Sequence, residues 1–410
     1  MNLLAEIREC SAFAWEAIRA NLLRSILTTV GIVIGIVTVT LMAAALDGVK
    51  ATFTKAISFL GTDVLYVDTR EWFVSSERNW DAIKKRNRIT LANVRALERV
   101  MDRAAGIAPT VMHNVGVSYK NQSSNSVQLI GTNEQFLTTG GVVLASGRFM
   151  TKHEAYANRD VCIIGADVAE KLFLGVNPIG EKLRAGQESL EVIGVLEKRG
   201  SVFGAISFDN QIIIPIGKMI VGYRHSPSCT IQVKVGDPTR VEAALQELRG
   251  HMRAIRKVPP GEPDDFAINQ QEALLKQFDK VGLVVATTGF SITGLSLLVG
   301  GIGIMNIMFV SVAERTREIG IRKAIGARRR TILMQFLMEA AGICIIGGII
   351  AVLIAWGIVA LAQMKFPEVT LSPRIVLIAL TVAATTGIIS GFLPAWRAAR
   401  MNPVDALRNE

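Results

Sequence analysis

Charged residues vanish from this chain four times. Residues 25–46, 281–313, 340–364 and 375–396 hold no Asp, Glu, Lys or Arg. A helix of about 20 apolar residues crosses the ~30 Å hydrocarbon core of a bilayer. The runs therefore predict four transmembrane helices, over 25–46, 281–313, 331–364 and 375–396. The second run would make about 50 Å of helix, more than a bilayer needs. Its outer end is expected to project as a stalk, and the first helix is expected to continue past Leu46 in the same way.

Residues 47–280 have an ordinary mixture of polar and apolar positions. DGVKATFTKAISFLGTDVLYVD reads as helix leaving the membrane, a stop at Gly61 and a strand at Val64 to Val67. Residues 71–88, with Trp72 and Trp80, read as a loop, and Thr90 as the cap of a helix to Val100. Short apolar runs follow: VGVSY, SVQLIG, VCIIG, LEVIGVL, QIIIPI and CTIQVKV. Gly, Asn and Pro separate them, which marks β structure. Asp237-Pro238 opens a helix to about Ile255, Phe266–Ile268 is a short strand, and Gln270 begins a helix that enters the second span. The pattern predicts an α+β domain over 47–280, with a β-rich insert at about 107–228.

Residues 1–24 space Leu3, Leu4, Ile7, Ala14, Trp15, Ile18, Leu22 and Leu23 for an amphipathic helix on the membrane surface, or for the first turns of the following helix. Ala43-Ala44-Ala45 has the look of a signal cleavage site. However, the run lies behind 24 residues that include acids, and it is long for a signal core. Segments 1–24, 314–330 and 397–410 carry 3, 7 and 3 Lys or Arg, whereas the loop between the last two spans carries Lys365 and Arg374. The positive-inside rule then places both termini and the 314–330 turn in the cytoplasm, and 47–280 on the other side.

Composition agrees. Half the residues are hydrophobic, mean hydropathy is +0.37 and net charge is +10. Much of that charge flanks the apolar runs, so it calls for no nucleic-acid partner. Cys162 and Cys229 lie in strand-like runs and read as small buried side chains, with a disulfide as the alternative. There is no GxxxxGK[ST] phosphate loop, no HExxH and no GxSxG. No catalytic residue, metal site or cofactor site is expected on this chain. Gly31 with Gly35, and Gly300, Gly301 and Gly303, sit inside uncharged runs and read as helix-packing positions.

The dense charge of the 314–330 turn calls for more than topology. In AERTREIGIRKAIGARRR, Glu314 is spaced to meet Arg317 and Glu318 to meet Arg322 on a helix. Ile321, Ala324 and Ile325 share a face, and Gly326 suits a C-cap. Anchoring needs Lys and Arg, but it needs neither interleaved acids nor an apolar face.

LLVGGIGIMNIMFVSVAERTREIGIRKAIGARRRTILMQFLMEA also resembles the signature of MacB/FtsX-type permeases of ABC systems, the type VII or mechanotransmission class. So do NLLRSILTTVGIVIGI, GRFMTKHEAYANRDVCIIGADVAEKLF, NPIGEKL, VIGVLEKRG, IIIPI, DDFAINQQEALL and PAWRAARMNPVDALRNE, which together reach across nearly the whole chain. The resemblance implies an α-helical membrane protein of the bacterial inner membrane with four spans. It also implies a large periplasmic porter-like domain and a homodimer. A dimeric ABC ATPase would dock at a coupling helix carrying Glu314, Arg315, Arg317, Glu318, Ile319, Gly320, Arg322, Lys323, Ala324 and Gly326. With 24 residues ahead of the first span, the ATPase, with its ATP and Mg²⁺, is expected on a separate polypeptide.

The function implied is MacB-like efflux of a periplasmic substrate, with a periplasmic adaptor and an outer-membrane channel as further candidate partners beside membrane lipids. The alternatives within the resemblance are an FtsX-like relay that activates a periplasmic enzyme and lipoprotein extraction. A conventional pore fits poorly, because the spans carry almost no charge. Glu339, near the cytoplasmic edge, is expected to snorkel or pair there.

Overall fold

The computed structural model describes residues 22–73, 83–202, 206–223 and 227–408. The chain forms two compact units. One is built from the chain up to Ala51 and from Asp279 onward, and the other from Thr52–Phe278. The helix expected over 1–24 lies outside the described residues as far as residue 21, as do residues 74–82 of the expected loop.

Helix α1 (Leu22–Ile57) continues well beyond the uncharged run that predicted it. Asp47 and Lys50 charge its surface without ending it, since neither residue breaks a helix. A 3-10 turn over Ser58–Leu60 follows and ends at Gly61, whose φ of +72° suits glycine, and the chain then enters strand β1 (Val64–Asp68). Helix α2 (Leu91–Val100) starts at Thr90, whose N–H is accepted by the Asn93 side chain at 2.9 Å.

The strands that follow are β2 (Ala104–Tyr119), β3 (Gln122–Thr132), β4 (Leu144–Gly147) and β5 (Val161–Ile164), with helix α3 (Ala166–Phe173) after them. Next come β6 (Lys182–Ala185), β7 (Glu188–Leu196), the small hairpin β8 (Ser201–Val202) and β9 (Ile206–Ser207), β10 (Gln211–Pro215) and β11 (Thr230–Val235). Helix α4 (Val241–Arg256) and strand β12 (Ala267–Gln270) complete the unit.

Ten strands form one sheet in the order β12-β1-β11-β2-β3-β10-β5-β7-β4, with β6 paired to β2 and β7. β2 joins its two halves. Its first part pairs β11, with Thr110 opposite Thr230, and its second part pairs β3, with Val111 opposite Gly131. The insert boundary expected near residue 107 therefore falls inside one unbroken strand. His113 and Asn114 interrupt the apolar pattern there without turning the backbone, because they sit on a less buried stretch of the strand.

In the first half, Leu65, Val67, Ile107 and Ile231 form a core with Leu97 of α2 and Leu248 of α4. In the second half both faces are covered. Ile212 and Ile164 enter one core with Leu172, while Ile213 and Ile163 enter another with Phe136. Two covered faces explain why VCII and QIIIP read as continuous apolar runs.

The chain returns through α5 (Gln271–Glu314), which is 44 residues or about 66 Å long. Next come α6 (Thr316–Ala324), α7 (Arg329–Gln363), α8 (Pro373–Arg400) and the short α9 (Pro403–Arg408). Helices α1, α5, α7 and α8 are long and apolar enough to cross a membrane. The turn read as 314–330 takes in the last residue of α5, all of α6 and the first two residues of α7, with breaks at Arg315 and at 325–328, and the first four residues of the expected tail, 397–400, are the last turn of α8.

The membrane unit packs through small side chains. On α8, Ala379, Ala383, Gly387, Gly391, Ala395 and Ala399 recur every fourth residue and are all buried. They face Ala340, Cys344 and Gly348 of α7. A Cβ on Gly387 would lie 2.7 Å from the Cys344 Sγ and 2.8 Å from the Ala340 carbonyl oxygen. Close backbone approach of this kind is how apolar helices gain packing energy inside lipid.

Candidate functional site

The charged turn is a short helix fastened to the bundle. Arg315 leaves helical geometry (φ −100°, ψ 17°) and so separates α5 from α6. Gly326, at φ +100°, ends α6. Its N–H is donated to the Lys323 carbonyl at 3.1 Å, and the Ala327 N–H to the Arg322 carbonyl at 3.0 Å. This is a Schellman cap, which requires the left-handed conformation that glycine adopts without strain.

The ten residues read as an interface divide into two sets. Ile319 and Gly320 are buried; Ile319 shares a core with Val312, Ile332, Phe336 and Ala395. Arg322 donates from Nη1 to the Gln335 Oε1 at 2.9 Å and is ion-paired with Glu318. Lys323 donates from Nζ to the Met401 carbonyl at 2.6 Å. Burial, with the positive charge of Arg329 nearby, holds the Lys323 ammonium below its usual pKa. Arg315 reaches Glu339 of α7 at 3.5 Å. These five residues, Arg315, Ile319, Gly320, Arg322 and Lys323, hold α6 in place.

The other five, Glu314, Arg317, Glu318, Ala324 and Gly326, are exposed. With them stand Ile321 (47% exposed) and Ile325 (81% exposed). Exposed Arg328, Arg329 and Arg330 border this face. The result is an apolar strip edged by charge on a helix whose opposite side is locked down.

The pairing expected between Glu314 and Arg317 is absent among the described ion pairs. The expectation assumed a continuous helix, and the break at Arg315 removes the three-residue register. The sequence reading also missed the anchors Gln335 and Met401. They belong to other elements, and local spacing carries no signal for them. For Glu339 it anticipated pairing or snorkelling without a partner; the structure supplies Arg315 and buries the carboxylate.

The glycines read as packing positions lie as follows. A Cβ on Gly31 would meet Gly300 Cα at 3.3 Å, one on Gly300 would meet Ile32 at 2.8 Å, and one on Gly35 would meet Leu297 at 3.2 Å. Gly301 faces Ser390 of α8. Gly303 is half-buried in α5. Among the described residues, no three His, Cys, Asp or Glu side chains converge as a metal site requires.

Comparison with known proteins adds the family. Residues 25–251 match the MacB-like periplasmic core domain, and residues 290–403 match the FtsX-like permease C-terminal region. A macrolide export ATP-binding/permease protein MacB of Hahella chejuensis is 32% identical over 99% of this chain and 61% of its own length. The protein of the same name from an Azoarcus species is 34% identical over 99% and 60% respectively. The chain thus spans about three fifths of the length of these curated relatives. Among solved structures, the periplasmic region of MacB from Actinobacillus actinomycetemcomitans aligns with 54% of this chain and 95% of that one, at 17% identity and a TM-score of 0.45. The extracellular domain of the ABC-type transporter YknZ from Gram-positive bacteria aligns with 50% and 100%, at 17% identity and a TM-score of 0.40. The chain belongs to the family of the MacB-like periplasmic core domain and carries an FtsX-like permease region after it.

Proposed function

We propose that this chain is the membrane permease subunit of an ABC export system of the inner membrane. In this reading the outer face of α6 receives a separate ATPase subunit. Two copies of the chain close and open with the ATPase dimer, and that movement reaches the 52–278 unit, which acts on a substrate in the periplasm. ATP and Mg²⁺ reside on the partner. The relatives' printed names join ATP binding to macrolide export. They support the export class and leave the substrate of this chain as a proposal.

The observation that carries the reading is the two-sidedness of α6. An isolated amphipathic helix would bury its apolar residues, yet Ile321 and Ile325 face outward while Ile319 holds the helix from behind. Exposed apolar side chains bordered by charge are the composition of a docking site.

The test is reconstitution in lipid vesicles with a candidate ABC ATPase subunit supplied as a separate chain. Ile325→Asp leaves every internal contact of α6 in place, because the side chain is 81% exposed. Stimulation of the ATPase is expected to fall at least ten-fold while the melting temperature stays constant. Full stimulation by Ile325→Asp together with Ile321→Asp would refute the docking assignment.

A further inference from the structure

A second feature of the membrane unit lies at the far end of the bundle from α6. A pocket of about 560 Å³ opens between α1, α5 and the start of α8. Met42, Leu46, Phe290 and Ile378 give it apolar walls, and Asp47 and Arg374 line it as well. The volume falls in the range of small-molecule sites.

The two charges occupy particular positions. Asp47 is the first charged residue after the uncharged run of α1, and Arg374 is the last before the uncharged run of α8. Both therefore mark the level at which lipid headgroups meet hydrocarbon. Opposite charges lining one pocket would be expected to pair. Among the described residues, however, no ion pair within 4.0 Å joins Asp47 to Arg374. Further out along α1 and α5 opposite charges do pair, with Lys50 Nζ 2.6 Å from Asp279 Oδ1.

The pocket is also built into the fold. Gly48 sits so close to Val369 that a Cβ there would approach Val369 Cα to 2.9 Å, which fixes the 364–372 loop against α1. Ala44, Val359 and Ile375 form a small buried core beneath it.

We propose that this pocket is a phospholipid site selective for a zwitterionic headgroup bearing a primary ammonium. Arg374 takes the phosphate, Asp47 takes the ammonium, and the first carbons of an acyl chain lie along Leu46, Phe290 and Ile378. Charge complementarity selects this occupant. An anionic lipid such as phosphatidylglycerol, whose only charge is its phosphate, would use Arg374 and offer no cation to Asp47, and a purely apolar one would use neither.

The test uses the full-length protein in nanodiscs of mixed phosphatidylethanolamine and phosphatidylglycerol, with retained lipid counted by native mass spectrometry. The wild-type protein is expected to retain phosphatidylethanolamine preferentially. An exposed charge pair contributes at most about 1 kcal/mol, or up to about five-fold. Asp47→Asn is therefore expected to remove up to about five-fold of the preference, with phosphatidylglycerol retained as before. Arg374→Gln is expected to weaken retention of both lipids by a similar factor. Both side chains are exposed, and melting curves matching wild type verify that the variants fold. Equal retention of the two lipids by the wild-type protein, or unchanged preference in Asp47→Asn, overturns the proposal. So does an efficient disulfide between two copies through an added Leu46→Cys, which would assign the pocket to a second copy of the chain. None of these outcomes depends on ATPase docking at α6.

Discussion

Arg315 and Glu339 meet 3.5 Å apart, and Glu339 is 4% exposed, with its Oε1 finding no hydrogen-bond partner among the described residues. A second rung lies beside them, where Arg322 donates to Gln335 at 2.9 Å. Gln335 and Glu339 are four residues apart on α7, so they share a face. Together the rungs fasten α6 to the third span. The helix before it, α5, meets α6 across the break at Arg315, where Thr316 Oγ1 donates to the Val312 carbonyl at 3.0 Å and Ile319 shares a core with Val312. The charged and polar rungs, however, run to α7, so force applied to α6 acts directly on α7 as well as on α5.

Removing one partner of a buried ion pair leaves the other uncompensated, at a cost of about 3–5 kcal/mol, whereas replacing both by apolar residues is often neutral. Arg315→Met is therefore expected to lower the melting temperature of the purified protein sharply, because it strands the Glu339 carboxylate. The double variant Arg315→Met/Glu339→Met is expected to recover most of that loss. A thermal-melting double-mutant cycle checks this. Additive losses would show that the two side chains do not act as a pair.

The contact between α7 and α8 predicts a compensating pair. A Cβ on Gly391 would lie 2.5 Å from the Ala340 Cβ, closer than any real contact. Gly391→Ala is expected to cost about 1–3 kcal/mol through overpacking. Ala340→Gly in the same chain removes the clashing methyl and is expected to restore most of the stability, measured as midpoint temperature in detergent.

The membrane spans and the strands were legible because their signals are local. An uncharged run or an alternation of apolar residues is visible within one window. Helix ends were less legible. The break at Arg315, which separates α5 from α6, lies in a stretch whose spacing reads as continuous helix. Sheet order was illegible, since nothing in Thr110 or Thr230 announces that they lie opposite one another. At the turn, the sequence named the right segment but could not separate the side chains that face out from those that anchor. That distinction depends on Gln335, Glu339 and Met401, which are remote in the chain. The fourfold recurrence of small residues from Ala379 to Ala399 is written in the sequence, but runs rich in Ala and Gly show such spacing often by chance.

Cys162 and Cys229 are both buried free thiols in the Thr52–Phe278 unit. Burial raises the Cys162 thiol far above its ordinary range and pushes that of Cys229 up to about 12. Neither is expected to react with iodoacetamide at pH 8 until the protein unfolds. Mass spectrometry of the alkylated protein, with and without denaturant, checks this. Their rapid labelling in the native state would contradict the burial.

Glu154 supplies a pH dependence with a definite sign. Arg148 holds it with two hydrogen bonds, at 2.7 and 2.8 Å, and Thr151 donates its N–H to the same carboxylate at 2.9 Å. The guanidinium of Arg148, with help from Thr151, pushes the carboxyl down to about 2, below its ordinary value of about 4.3. A folded-state pKa below the unfolded one stabilises the fold above about pH 4.3, and the contribution is lost as pH falls toward about 2. The short helical turn at Lys152–Tyr156 depends on this carboxylate for its capping box. Hydrogen exchange of the full-length protein is therefore expected to show its amides losing protection between about pH 4 and pH 2.5, once intrinsic rates are corrected. Glu154→Gln is expected to show reduced protection at neutral pH, by about 1 kcal/mol or roughly five-fold, and little further loss on acidification. A wild-type profile that runs parallel to that of Glu154→Gln across this range would show that Arg148 and Glu154 contribute no charge-dependent stability.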